Sequence, residues 1–480
     1  MKNYRVSSHK GFLTPTAIAV GMLFSHAALA QVVNPSKSGA QNNLVGDIQV
    51  GQTSPEAAIG IAIENLCPQL AARENAELNS AIQSDLRFRC GNLIADQTPQ
   101  TGSLRQVAPE EIATQETDIV ELSSNQLNSI GSRLAGLRSS IQTSSQQSSL
   151  DNTQPGLVAF NLNGYGAGAG DDLASSGRLG VYVHATIGTG DKDQTAKESG
   201  FDIDSTAVTI GADYRLNGGA FIGAALGINS SESEMTNNGG EVESDGVSLM
   251  VYGTKSLSDR LYLEGTFGLG QYDYDTSRNL NYTASGVSVV QTALASTEAD
   301  MTFASIGFGF NPSYKQGEGV QISYTGRLNY LDADVDGFTE RMSNQGASGF
   351  GMNLEIAGQE IQSLTSVLGV QASKVFGTAS GVVIPFVELS YVHEFEDDAR
   401  TIRARFANDP FSVGFNQDSG TNPTIISIVT DAPDTDYFRF AFGTSGVLPR
   451  GKNWFVSADT VLGLEGTSYY SLTGGLRGEF

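Results

Sequence analysis

From about residue 176 onward, apolar and polar positions alternate with a period of two. In VQISYTGRLNY, Val320, Ile322, Tyr324, Leu328 and Tyr330 fall on one face, and Gln321, Ser323, Thr325, Arg327 and Asn329 on the other. DYFRFAF sets Phe438, Phe440 and Phe442 against Arg439 and Ala441, and NWFVSADTVLGLEG sets Trp454, Val456, Leu462 and Leu464 against Ser457, Asp459, Gly463 and Glu465. This is the period of a β-strand. Similar stretches lie at 179–187, 205–216, 220–228, 246–254, 260–272, 301–310, 363–376, 384–395 and 469–480, which brings the predicted strands to twelve. Their connections alternate in length. Short ones fall at 217–219, 255–259, 313–319, 377–381 and 449–452, and long polar ones at 188–204, 229–245, 273–300, 332–362 and 396–437. The last hairpin, near Gly466, is short where a long one is due. An even strand count with short turns at one end and long loops at the other predicts an all-β, outer-membrane-type barrel.

The faces decide which side is out. Arg327, Glu388, Arg439, Asp459 and Arg477 share their face with Gln321 and with small residues. An arginine facing lipid at mid-bilayer costs roughly 2–4 kcal/mol. These side chains are therefore predicted to face an aqueous lumen, and the aliphatic and aromatic face to meet outer-membrane lipid. A soluble sandwich also alternates, but the strand lengths, the lack of Greek-key spacing and the large aromatics at strand ends favour the barrel.

Upstream the period becomes helical. SPEAAIGIAIENL has Ser54 as N-cap and Pro55 at the first helical position. QLAARENAELNSAIQSDL continues as a second helix. A third, about 124–149, carries Leu127, Ile130, Leu134, Leu137 and Ile141 in steps of three and four, a narrow apolar stripe. At ~1.5 Å per residue it would run ~39 Å, enough to cross a barrel. The stripe fits a helical-bundle core or a coiled coil as well as it fits a lumen-filling helix. The Ser/Gln run that ends it reads as linker.

The first thirty residues point to export. Lys2, Arg5 and Lys10 precede a short apolar core at 17–25, and Ala28-Leu29-Ala30 has the form of a signal-peptidase site, so cleavage is expected after Ala30. That core is far short of the ~20 residues a membrane-spanning helix needs. No later run supplies one, which leaves barrel strands open. The only cysteines, Cys67 and Cys90, are expected to pair in an oxidising compartment.

Lys and Arg number 28 and Asp and Glu 52; the signal carries three of the former and none of the latter, so the mature chain has 25 − 52 = −27. That argues against nucleic acid as a partner. DADVDG (332–337) has the carboxylate spacing that opens an EF-hand loop, but Ser343 stands where the bidentate acid belongs, so a solvated loop is expected. GYGAGAGDD (164–172) lacks a preceding strand and reads as a flexible link. After cleavage only His184 and His393 remain, both in barrel strands, which excludes a histidine-dependent triad in the N-terminal part. No enzyme activity, metal or cofactor is expected.

Taken in order, SGRLGVYVHATIGTGDKD, TAVTIGADYRLNGGAFIGAALG, DGVSLMVYGTKSLSDRLYLEGTFGLGQYDYDTSR and TGGLRGEF resemble the translocator domain of the monomeric, type V autotransporters over roughly residues 155–480. The resemblance implies a signal peptide (1–30), a short helical passenger (31–103), a linker with a lumenal helix (104–175), and a barrel (176–480) in the Gram-negative outer membrane. It also implies a passenger delivered to the cell surface, and Sec translocon, periplasmic chaperones and barrel-assembly machinery as partners. Tyr470, Leu472, Leu476 and the final Phe480 would be the assembly signal. Two features depart from the family. The passenger is short and helical rather than a repetitive β-helix, and the third helix lacks the paired asparagines of self-cleaving members, so no self-cleavage is expected. Twelve strands in one chain favour a monomer over the trimeric autotransporters. The rival reading is a barrel channel whose N-terminal segment is a plug.

Overall fold

The computed structural model describes residues 54–96, 101–146, 178–236, 239–258, 260–312, 319–378, 381–412, 414–415, 424–448 and 452–479. Ala28, Ala30, the glycine-rich run 164–172 and Phe480 lie outside them. Among the described residues, twelve long strands form one antiparallel sheet: β1 (Leu179–Lys192), β2 (Phe201–Leu216), β3 (Ala220–Met235), β4 (Gly240–Ser256), β5 (Leu261–Ala284), β6 (Val287–Phe310), β7 (Gln321–Val335), β8 (Gln359–Ser373), β9 (Gly381–Glu394), β10 (Asp436–Leu448), β11 (Lys452–Leu462) and β12 (Thr467–Glu479). Sequential neighbours pair, and β12 pairs with β1 from Gly180↔Glu479 to Lys192↔Thr467, so the sheet closes on itself. Closure leaves no edge of unpaired backbone groups, which a bilayer does not tolerate.

Side chains alternate across the wall. Ile222, Leu226 and Ile228 on β3, Val247, Leu249 and Val251 on β4, and Leu263, Phe267 and Leu269 on β5 point outward, each about half exposed. Their inward neighbours include the buried Tyr252, Tyr272 and Phe303. Tyr272 lies over Gly246 and Phe303 over Gly268, the residues directly opposite on the neighbouring strands, and a Cβ at either glycine would collide with the ring. Glycine there lets large rings lie flat against the inner wall.

The long connections differ from the sequence expectation. Residues 273–300 are not a loop. β5 and β6 run 24 residues each and meet at a two-residue turn, Ser285-Gly286, with φ of 48° and 76°. At ~3.3 Å per residue such strands run ~80 Å, against an apolar band of ~25 Å. The alternation persists beyond the band with its outward face reversed in polarity: Asp273 and Asp275 are exposed, and Tyr272 and Tyr274 buried. Likewise, β3 and β4 extend through most of 229–245. The DADVDG segment begins inside β7, with Ala333 and Val335 buried and Asp334 exposed, and is not a loop through Val335. The connections after β7 and β9 contribute four short strands, Phe338–Thr339, Leu354–Ile356, Thr401–Phe406 and Ile426–Val429, which form a second sheet.

The N-terminal helices pack against this end. α1 (Pro55–Asn75) is capped by Ser54 with Pro55 in its first turn, and α2 (Ala81–Ala95) by a reciprocal Ser80/Gln83 capping box. Cys67 and Cys90 form a disulfide between them, with Cα atoms 6.0 Å apart. α3 (Thr101–Val107) and a 3-10 turn (Glu110–Ala113) follow. Ile63, Leu66, Leu70, Leu93, Leu104 and Ile112 share one core with Leu280 and Tyr282 of β5 and with Leu354, Ile402, Phe406 and Ile426 of the second sheet. The Asp85 carboxylate accepts the backbone N–H groups of Gly349 (3.1 Å) and Gly351 (2.9 Å). A Cβ at Gly351 would meet the Ile82 carbonyl and the Leu86 backbone, so α2 lies directly on that loop.

One charged cluster pins this cap to the barrel. Arg278 of β5, 2% exposed by side chain, donates to both oxygens of Glu340 (2.8 and 2.5 Å) and to the Val107 carbonyl (2.9 Å), and lies 3.8 Å from Glu111. Burial pushes the Glu111 carboxyl well above the usual carboxylate range; Arg278 opposes this, and Glu340 and Glu110 add to it. A carboxyl whose folded value is raised contributes stability that is complete below its unfolded value and is lost as pH rises through the raised one. The cap is therefore expected to lose protease resistance across a scan from about pH 5 to about pH 9. In Glu111→Gln that loss should flatten; an unchanged pH profile in the variant would refute the assignment.

Candidate functional site: a helix held in the barrel lumen

α4 (Thr114–Gln146) begins earlier than the expected position near 124 and passes down the inside of the barrel. Residues 114–123 escaped the apolar-stripe reading because their polar side chains face the inner wall, and a polar face reads as solvated in a sequence.

The stripe found in the sequence packs inside. Leu127, Ile130, Leu134 and Leu137 are buried with Ile119 and Leu122 against Tyr182, Met250, Tyr252, Tyr272, Tyr274, Met301 and Phe303 of the wall. Ile141 belongs to the backbone of the same helix.

A second stripe, which the sequence reading missed, fixes the register. Asp118 accepts the hydroxyls of Ser231 and Ser244 (2.7 Å for the latter). Glu121 accepts from Ser205 (2.6 Å) and from Tyr469. Gln126 bonds Asn229 (2.5 Å) and accepts from Thr209 (3.2 Å). The Ser129 hydroxyl is 3.1 Å from His184 Nδ1. Arg133 Nε donates to Asp213 (2.5 Å), with both side chains at most 3% exposed, and its guanidinium lies 5.1 Å from the Tyr182 ring centroid. At ~100° per residue the positions 118, 121, 126, 129 and 133 fall on one side of the helix. That polar period was the available signal.

The spacing also fixes the direction. On β2 the partners Ser205, Thr209 and Asp213 are four residues apart and meet Glu121, Gln126 and Arg133 in turn. Twelve helical residues rise ~18 Å. Eight strand residues span ~26 Å, or ~20 Å along the axis at a tilt of ~40°. The two advance together, so the helix lies close to the barrel axis. It descends from the long-connection end toward the short turn at 217–219.

The opposite side of α4 bears small residues, among them Ser124, Gly131, Ser132 and Ala135, and faces a cavity of about 140 Å³ against β7–β12. Arg327, Glu388, Arg439 and Asp459, expected to face the lumen, line this cavity. Arg439 donates to Asp459 (3.0 Å) and to the Ser124 hydroxyl (3.1 Å), and Arg327 to Glu264 (3.3 Å). Glu388 accepts from Gln371 (3.1 Å) and Ser390 (3.0 Å). A Cβ at Gly131 would stand 2.9–3.1 Å from the Arg327 guanidinium, so any larger residue there would push that side chain aside. Arg477 lies opposite Tyr182 and Asn453 on the neighbouring strands. Tyr470, Leu472 and Leu476 point outward at 56%, 46% and 63% exposure. Among the described residues no cluster of three or more metal-ligating side chains has the geometry to hold a metal ion.

Comparison with known proteins matches this architecture. The family model for the autotransporter β-domain matches residues 181–459, more than half of the chain. The uncharacterised protein YaiT of Salmonella typhimurium is 22% identical over 200 residues, covering 40% of this chain and 18% of that protein. Outer membrane protein B of Rickettsia typhi is 23% identical over 216 residues, covering 44% and 12%. The chain thus spans less than a fifth of the length of these curated relatives. Among solved structures, the translocator domain of autotransporter NalP from Neisseria meningitidis aligns with a TM-score of 0.48 at 16% identity, covering 65% of this chain and 90% of that one.

Removing one partner of a buried ion pair leaves the other charge uncompensated and costs ~3–5 kcal/mol. Arg133→Ala is therefore expected to loosen α4 and raise single-channel conductance in planar bilayers, and Arg133→Ala with Asp213→Ala to return it toward the parent value. Equal conductance in all three proteins would contradict the role given to this pair.

Proposed function

This chain belongs to the autotransporter family, through its β-domain, and from that premise we propose that the barrel displays its own N-terminal helices at the cell surface and keeps them there. As an outer-membrane autotransporter it sets its short turns toward the periplasm and its long connections outward. The observation that carries the reading is the shared core: α1–α3 bury their apolar residues against strands that rise from the barrel's long-connection end. A segment packed in this way stays docked after delivery. α4 is then the tether that runs from the displayed cap through the lumen toward β1.

In this reading residues 54–113 form one passenger unit, because α3 packs in the same core as α1. The passenger is a structural and binding module rather than an enzyme; none of the chain's histidines, His9, His26, His184 and His393, falls in it. Export runs through the Sec translocon with cleavage after Ala30 and protection by periplasmic chaperones. Tyr470, Leu472, Leu476 and Phe480 serve as the signal read by the barrel-assembly machinery. One chain supplies every strand of the ring, which supports a monomer.

Leu78, in the turn between α1 and α2, is 60% exposed, and the two native cysteines are paired. Leu78→Cys is therefore expected to react with a membrane-impermeant maleimide on intact cells. Labelling only after the outer membrane is permeabilised would overturn surface display and favour a plug inside a channel.

A further inference from the structure

A second cavity, of about 330 Å³, lies in the cap, between α3 with its following turn, the β1–β2 connection and the β3–β4 turn. That volume is in the range of small-molecule sites. Gly102 and Thr236 are exposed on its rim, and Glu56, Glu110, Glu111, Ala108 and Met235 are buried in its wall.

The charges around it do not balance. Arg105 serves both Glu56 (3.4 Å) and Glu110 (3.0 Å), and its remaining reach goes to the Thr195 carbonyl (3.4 Å). Arg278 is held by both oxygens of Glu340 and by the Val107 carbonyl, and reaches Glu111 only at 3.8 Å. Glu56 and Glu110 thus share the single Arg105 guanidinium, and Arg278 is taken up by Glu340, so the three carboxyl groups in the cavity wall lack a full set of cationic partners. Glu110 makes the deficit specific. The residue is 7% exposed; Oε2 accepts from Arg105 and Ser199, while Oε1 is buried with no hydrogen-bond partner. An unpaired buried carboxylate oxygen is costly, and a cationic donor in the cavity would remove that cost. Burial pushes the Glu110 and Glu111 carboxyls up, which favours their protonated forms until a counter-charge enters the cavity.

The lining also selects the kind of cation. The described residues include no cluster with metal-binding geometry. Met235 and Ala108 add apolar surface to the same lining. N–H donors at two ends and hydrocarbon between them would answer both features. We propose that this cavity binds an aliphatic diamine as its dication, one ammonium on Glu110 and the other toward Glu56 or Glu111.

The test is calorimetric titration of the full-length protein in detergent with 1,4-diaminobutane, beside n-butylamine and magnesium. One diamine is expected per chain, with n-butylamine at least about tenfold weaker because it satisfies one charge. Glu110→Gln is expected to weaken the diamine at least about tenfold. Gly102→Leu supplies a second arm. A Cβ there meets nothing within 4 Å, and leucine favours a helix over glycine, so the fold is kept while the side chain occupies the rim. It should abolish binding with an unchanged heat-modifiability shift. The proposal is overturned by no heat with the diamine, by equal affinity in both variants, or by magnesium displacing the diamine at the same stoichiometry.

Discussion

A twelve-stranded barrel encloses more space than its own inward side chains can fill, and the fit between that space and α4 is what the rest of the structure depends on. An eight-stranded barrel can be filled by side chains alone. Here a helix does it, with two stripes that act differently. The apolar stripe, Leu127 to Leu137, packs on rings laid flat over glycines. The polar stripe, Asp118 to Arg133, places buried donors opposite buried acceptors. Packing supplies most of the burial, while the polar pairs set register, because a shift of one helical turn would strand several of them unsatisfied. The pairs lie on β1–β4 and β12, so the helix leans on one half of the wall and leaves a polar cavity along the other.

That arrangement determines what happens above the membrane. α4 enters the lumen from the long-connection end, so the chain before it must lie there. Strands β5 and β6 continue far past the apolar band and offer buried rather than solvated surface. The helical segment, too small for a large core of its own, completes one with them. Arg278 sits where barrel, helices and second sheet meet, and its guanidinium bonds groups from two of these elements.

Much of the barrel was legible because lipid imposes a simple rule on alternate residues. Ile222, Leu226 and Leu249 could point nowhere else, and Arg327 or Glu388 could not join them. Strand ends were harder. Beyond the bilayer the outward face turns acidic, so 273–300 read as loop although Tyr272, Asp273, Tyr274 and Asp275 keep the strand period. The α4 start was missed for a related reason. Asp118, Glu121 and Gln126 look like a solvated face until the wall that answers them is present, and their partners lie 83 to 348 residues away in sequence. The shared core of the cap likewise depends on distant contacts, such as Asp85 with Gly351, which no local pattern encodes.

The central claim is that α4 occupies the lumen in this register, and cross-linking in cells tests it most directly. Ser129 and His184 face each other at 3.1 Å and no free cysteine competes among the described residues. With both changed to cysteine, a short thiol-specific bifunctional reagent is expected to join α4 to β1 and give a species of altered gel mobility in outer-membrane fractions, while either single variant gives none. Absence of that species from the double variant, in barrels that remain heat-modifiable, would contradict the account.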